Sequence, residues 1–207
     1  MIEQGTPEWR AQRCGKVTAS RIADMLARTK TGWGASRANY AAQLICERLT
    51  GAPADGYASD AMRFGAENEP LARAAYEFRT DRTVELCGFV DHPRIAMSGA
   101  SPDGLVGADG LIEIKVPNTA THIETLLSGA VPEKYIMQMM WQIACTGRAW
   151  CDYVSFDPRL PEEMRLFIRR IERDDTLCAR LEKETELFLA EIDDKIKTLR
   201  RTYAEAA

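Results

Sequence analysis

Only two histidines, His92 and His122, occur in the 207 residues, and no two of the six cysteines form a C-x-x-C pair. A tetrahedral zinc site is therefore not expected, and free, buried thiols are the default for Cys14, Cys46, Cys87, Cys145, Cys151 and Cys178. No apolar run approaches the roughly 20 residues needed to span a bilayer, and no signal-type segment opens the chain. A cytoplasmic protein with no membrane role is the expectation. Internal repeats and low-complexity tracts are also missing. Excess positive charge is absent too: 27 Lys and Arg stand against 31 Asp and Glu, for a net charge of -4. Proteins that coat nucleic acid indiscriminately are usually basic, because phosphate neutralisation supplies much of their affinity. The distribution softens that objection. Residues 1–40 carry Arg10, Arg13, Lys16, Arg21, Arg28, Lys30 and Arg37 against Glu3, Glu8 and Asp24, while acids gather from Glu162 onward. A positive inner surface with an acidic exterior would suit a protein that encloses DNA, and many that do not.

The most informative stretch is Ser101-Pro102-Asp103-Gly104, followed by Glu113-Ile114-Lys115. Two short apolar runs flank an Asp109-Gly110 turn signal between them, which predicts a β-hairpin that folds Asp103 back toward Glu113. Two-, three- and four-residue loops all fit, so the register stays open. In the second strand Leu111, Glu113 and Lys115 share one face, and Ile112, Ile114 and Val116 share the other. Carboxylate oxygens are the preferred ligands of Mg²⁺ or Mn²⁺, ions that can stabilise the attacking and leaving oxygens of a phosphodiester displacement. Asp103 and Glu113 are the candidate ligands, and Lys115 the group that positions a water and offsets charge on the phosphate. The plainer reading, an ordinary turn with a charged strand surface, also fits this motif alone.

Residues 64–78 read as helical after Gly65, within an element of about 62–79. Glu69 then falls near the helix start beside Pro70, either as a capping-type acid or as a third acid near a metal. The segment from Tyr135 also reads as a helix, with Gln138 and Gln142 on one face. Two amides in an apolar helix need either a buried hydrogen-bond network or a polar cleft. Val17 to Leu26 reads as a helix with Thr18 as its N-cap, whose free amides could bind an anion. Arg13 has the planar fork suited to phosphate, although a lone arginine is more often a solvated surface residue.

As an ordered set these segments carry a resemblance. With Glu8-Trp9-Arg10, Val17-Thr18-Ala19-Ser20, Asp157-Pro158-Arg159 and Ile171-Glu172-Arg173-Asp174 they cover about four-fifths of the chain. The sequence resembles the phage lambda exonuclease and YqaJ-type viral recombinase family, a branch of the PD-(D/E)XK nucleases. The resemblance implies Asp103, Glu113 and the main-chain carbonyl of Ile114 as metal ligands, Lys115 as the catalytic lysine, Glu69 as the helix glutamate and a further possible ligand, and Gln138 as the helix glutamine. It implies Arg13, Ser20 and Ser101, with Gln138 nearby, around a terminal 5′-phosphate. It aligns Met62 near a wedge that splits the end base pairs. It further implies a Mg²⁺-dependent 5′-to-3′ exonuclease on linear double-stranded DNA (Mn²⁺ as substitute), a homotrimer, and a single-strand annealing protein as partner. A structure-specific or restriction endonuclease on the same core, and a non-catalytic DNA-end-binding module, are the rival readings.

The length fits one domain, an α/β PD-(D/E)XK core whose mixed central sheet is flanked by helices. A helical N-terminal region to about residue 51 and a loop at 52–59 are expected to precede a catalytic core of about 60–172. Its strands are expected near 84–90, 95–100, 104–106, 111–116, 150–156 and 165–171, with a helix at 135–146. The loop at 129–132 is a candidate DNA-facing or mobile segment. Apolar spacing from Leu177 to Tyr203 predicts an amphipathic terminal helix over 174–203, packed on its own subunit or at an interface.

Overall fold

The computed structural model describes residues 2–54 and 59–203, so residues 55–58 of the expected 52–59 loop lie outside the described residues. Helix α1 (Pro7–Arg13) starts on Thr6, whose hydroxyl accepts the Trp9 N–H. It leads through β1 (Val17–Thr18), a 3₁₀ turn at Ala19–Arg21 and the short α2 (Ile22–Met25) to a small ribbon, β2 (Arg28–Thr29) and β3 (Gly32–Trp33). Two long helices follow, α3 (Ala35–Thr50) and α4 (Asp60–Thr80). Next come the strands β4 (Val84–Glu85), β5 (Val90–Asp91) and β6 (Ser98–Ala100), and the hairpin β7 (Gly104–Val106) and β8 (Gly110–Lys115). Helices α5 (Thr119–Ser128) and α6 (Glu133–Thr146) connect to β9 (Trp150–Phe156) and β10 (Leu166–Glu172), and α7 (Asp175–Tyr203) closes the described chain.

The main sheet runs β10-β9-β8-β7-β4, antiparallel except between β8 and β9. Helices α5 and α6 supply the crossover that a parallel pair requires. A smaller sheet, β1-β6-β5, is likewise mixed, with β1 and β6 parallel. The expected α/β architecture is therefore the observed one.

Alternation along β8 and β9 sends side chains into two cores. Leu111, Cys151 and Tyr153 join Tyr40, Leu44, Trp141, Phe188 and Ile192 in the larger one, under α3, α6 and α7. Ile112, Ile114, Val154 and Phe156 pack against Ala72 and Tyr76 of α4. Both faces of β8 are covered, so any charge on it is held away from water and needs partners. The terminal helix buries Leu181, Phe188, Ile192 and Ile196 on its own chain, and leaves Leu199 and Tyr203 exposed. All six cysteines are free, four of them buried.

Several expectations need correction. Val17 and Thr18 are not helical: they pair with Ser98 and Gly99 of β6, Thr18 makes no capping bond, and its N–H donates to the Tyr40 hydroxyl at 3.1 Å. Strand pairing of β-branched residues overrides the helical spacing there. The strand expected at 84–90 is two strands, because Val84–Glu85 pairs with β7 and Val90–Asp91 with β6 in the other sheet. Only Ser98–Ala100 of the 95–100 run is a strand, since the His92 ring draws the Arg94 and Ile95 N–H groups into a turn. Helix α4 begins at Asp60 on a Ser59 cap, so Glu69 and Pro70 lie inside it and the capping reading of Glu69 falls. Helix α5, capped by the Asn118 side chain, had no expectation at all.

The basic N-terminal residues do not form one positive surface. Arg28, Arg37 and Arg48 pair with Glu184, Glu191 and Asp193 of α7, and Lys16 pairs with Asp91. Part of the basic N-terminal charge is thus balanced by acids of the terminal helix.

Candidate active site

The hairpin register pairs Gly104 with Ile112, Leu105 with Leu111 and Val106 with Gly110, so the loop is three residues, 107–109. It turns on Gly107 at φ +55°, a left-handed value that favours glycine. One residue beyond the last pair, Asp103 stands across from Glu113, the juxtaposition that the sequence left open. Asp103 Oδ2 accepts the Ile114 N–H at 2.6 Å. The N–H and C=O of a strand residue point toward the same edge, so the Ile114 carbonyl faces the Asp103 side as well. Continuing the register places residue 102 opposite it, and Pro102 has no N–H to give. The proline at that position cannot supply a ladder N–H to the Ile114 carbonyl.

Glu113 is only 1% exposed. Gln138 donates to its Oε1 at 2.6 Å and Gln142 to its Oε2 at 2.5 Å, both from the face of α6 that meets β8. The Lys115 ammonium pairs with the same Oε1. Glu69 reaches the group from α4 while held by Arg73 at 2.5 Å. Burial pushes the Asp103 carboxyl well above the usual carboxylate range; the charges of Glu113 and Glu69 act in the same sense, and Lys115 opposes them. Burial also raises Glu69, with Arg73 opposing and Glu113 adding to the rise. For Lys115 burial acts downward, but the charges of Glu113 and Asp103 outweigh it and hold the ammonium above the ordinary lysine range. Three carboxyl groups therefore sense one another around a single ammonium.

That shortage of positive charge is one a hard cation would fill. Among the described residues no three His, Cys, Asp or Glu side chains converge closely enough to hold an ion by themselves. The donor set on offer is two carboxylates and the Ile114 carbonyl. It is all oxygen and incomplete, which suits Mg²⁺ or Mn²⁺, since Mg²⁺ usually keeps several of its waters.

A second cluster adjoins the first. The Arg13 guanidinium lies 3.9 Å from the centre of the Trp9 ring, and the Trp9 Nε1–H donates to Ser101 Oγ at 3.0 Å. Arg13 and Ser101 are thus brought together through Trp9, two residues from Asp103. Ser20 is exposed on the 3₁₀ turn that packs on α6, the helix of Gln138. Gln138 itself is engaged with Glu113 rather than with this cluster. Met62 is 61% exposed on the first turn of α4. The loop at 129–132 connects α5 to α6 beside Arg169, whose guanidinium donates to the Gly129 carbonyl.

Residues 8–149 match the YqaJ-like viral recombinase domain. The chain belongs to that family. Across 98% of this chain and 100% of the other, it is similar to the alkaline exonuclease LHK-Exo of Laribacter hongkongensis, at 55% identity and a TM-score of 0.91. The dAMP complex of LHK-Exo gives the same figures. A phage related exonuclease from Haemophilus somnus 129PT shares the fold at a TM-score of 0.70, with 14% identity over 89% of this chain and 96% of its own. None of the curated proteins compared with the chain matches it. Membership in this viral recombinase family and the exonuclease relative support a nuclease acting on DNA.

Some residues that shape this recombinase-family site escaped the sequence reading. Gln4 donates to the carbonyls of Pro102 at 2.7 Å and Cys87 at 2.9 Å, and so fixes the turn before Asp103. Trp9 lay within a matched segment yet received no role. Their partners stand 83 to 98 positions away, and no local pattern reports such contacts. Gln142 carried a signal, as an amide in an apolar helix, but not the identity of its partner.

Proposed function

We propose that this chain is a divalent-metal-dependent exonuclease that degrades the 5′-ended strand of linear double-stranded DNA and leaves 3′ single-stranded tails for a single-strand annealing protein. It would act as one nuclease domain in a homotrimer, in the bacterial or phage-infected host cytoplasm. The observation that carries the reading is the meeting of Asp103, Glu113 and Lys115 at the end of the hairpin. Asp103, Glu113 and the Ile114 carbonyl would hold Mg²⁺, with Mn²⁺ as substitute and Glu69 as an additional acid. An ion bound there stabilises the charge on the attacking and leaving oxygens of the phosphodiester. Lys115, kept charged by its neighbours, donates hydrogen bonds to a water and to the scissile phosphate; it does not take up a proton. Gln138 holds the Glu113 carboxylate in place through its amide, and Glu69 adds negative charge that attracts the ion. Arg13, Ser20 and Ser101 take the terminal 5′-phosphate, the arginine through its fork and the serines through their hydroxyls. Met62, apolar and exposed, separates the end base pairs.

Digestion of linear duplex labelled separately at the 5′ and 3′ ends, beside a closed circle, with Mg²⁺ and with EDTA, tests this reading. Metal-dependent loss of the 5′-ended strand alone is expected. Cutting of the circle would replace it by an endonuclease, and binding without cleavage by an end-binding module.

A further inference from the structure

Glu113 has two oxygens in unlike surroundings. Oε1 meets Gln138 and Lys115, both partly exposed, whereas Oε2 meets only the amide of Gln142, which is 0% exposed. Gln142 sits on α6 among the buried Met139, Met140, Trp141 and Ile143, where an amide without partners would be costly. Its own orientation is set from behind: the buried Cys151 thiol lies 4.0 Å from its Oε1, so its NH₂ points to Glu113. Whichever oxygen of Glu113 faces the core meets the Gln142 amide, and losing that amide would leave it without this donor.

We infer that Gln142 is a positioning residue that commits Oε2 of Glu113 to the core, so that Glu113 meets a divalent cation through Oε1 alone. The inference rests on the metal-dependent reading above. Partners of this kind, one layer behind a ligand, typically change metal affinity or activity by about 10–100-fold. Gln142→Met keeps the volume and removes the donor. The test follows the rise in melting temperature of the DNA-free protein as Mg²⁺ is added, alongside cleavage and, in EDTA, binding of duplex ends. The expected result is a Mg²⁺ midpoint about 10–100-fold higher than in the native protein, with a matching loss of turnover and unchanged end binding. An unchanged midpoint, with only a lower melting temperature in EDTA, would reduce Gln142 to a core residue and overturn the inference. Should Gln142→Met fold poorly, Gln142→Asn, which keeps the amide but falls one methylene short of Oε2, must show the same raised midpoint. Failure of the native protein to respond to Mg²⁺ at all would instead sink the metal-dependent reading.

Discussion

Asp103, Glu113 and Lys115 could be picked out in the sequence as candidates because the hairpin pattern brings two carboxylates and a lysine together, although the motif alone fits an ordinary turn as well. What sequence could not show is how each is held. The Ile114 N–H is taken by the Asp103 carboxylate, the engaged Oε2 of Glu113 is a consequence of α6, and the Trp9 bridge is a contact 92 positions apart. The Arg13 assignment makes its own prediction. Arg13→Ala should narrow the preference for 5′-phosphorylated over 5′-hydroxyl duplex ends by about tenfold, as loss of one charged hydrogen bond of roughly 1.5 kcal/mol implies. An unchanged ratio in a paired-substrate assay would remove Arg13 from the pocket. His92 provides a test of a different kind. Its Nδ1 accepts two backbone N–H groups, from Arg94 and Ile95, and its Nε2 faces Glu182. Burial lowers its pKa, the Glu182 and Glu186 charges oppose that shift, and Arg94 reinforces it. The unfolded chain therefore takes up this proton more readily than the folded one. The stability this contributes is complete above the unfolded value of about 6.5 and is lost as pH falls below it. Urea unfolding from pH 8 to pH 5 should show a loss that flattens in His92→Gln; equal slopes would contradict the account.

At the scale of elements, strong periodicity was readable and tertiary pairing was not. The hairpin, α6, β9, β10 and α7 emerge near their expected places because each combines a clear period with bounding turns. Val17–Thr18 and Val84–Val90 were misread because their partners belong to other parts of the chain, and α5 was missed because Thr119, Thr121 and Thr125 dilute its apolar face. Glycine carries information at this scale as well. A Cβ on Gly110 would lie 2.1 Å from the Trp150 ring, whose outer face is covered by Arg170 at 3.5 Å. Gly110→Ala should force β8 and β9 apart and cost about 2–3 kcal/mol, read as a lower urea midpoint at constant slope. A loss below about 0.5 kcal/mol, the size of an ordinary surface change, would show that the ring moves aside freely.

For the whole molecule, net charge was the weakest guide. The chain is acidic, and two of the seven basic residues in 1–40, Arg28 and Arg37, pair with acids of α7, as does Arg48. Among the described residues no helix is long and apolar enough to cross a membrane. The α/β architecture followed from the order of the elements, whereas the split into two sheets required knowing which strands meet. The central claim is that Asp103, Glu113 and Lys115 together cleave the phosphodiester, and single-turnover cleavage by Lys115→Met, measured beside its affinity for duplex ends in EDTA, tests it most directly. The account predicts a rate ~10²–10³-fold below that of the native protein, the usual cost of removing one donor to developing charge, with end affinity held within about threefold. Cleavage at the native rate would contradict it and move the chemistry away from this strand.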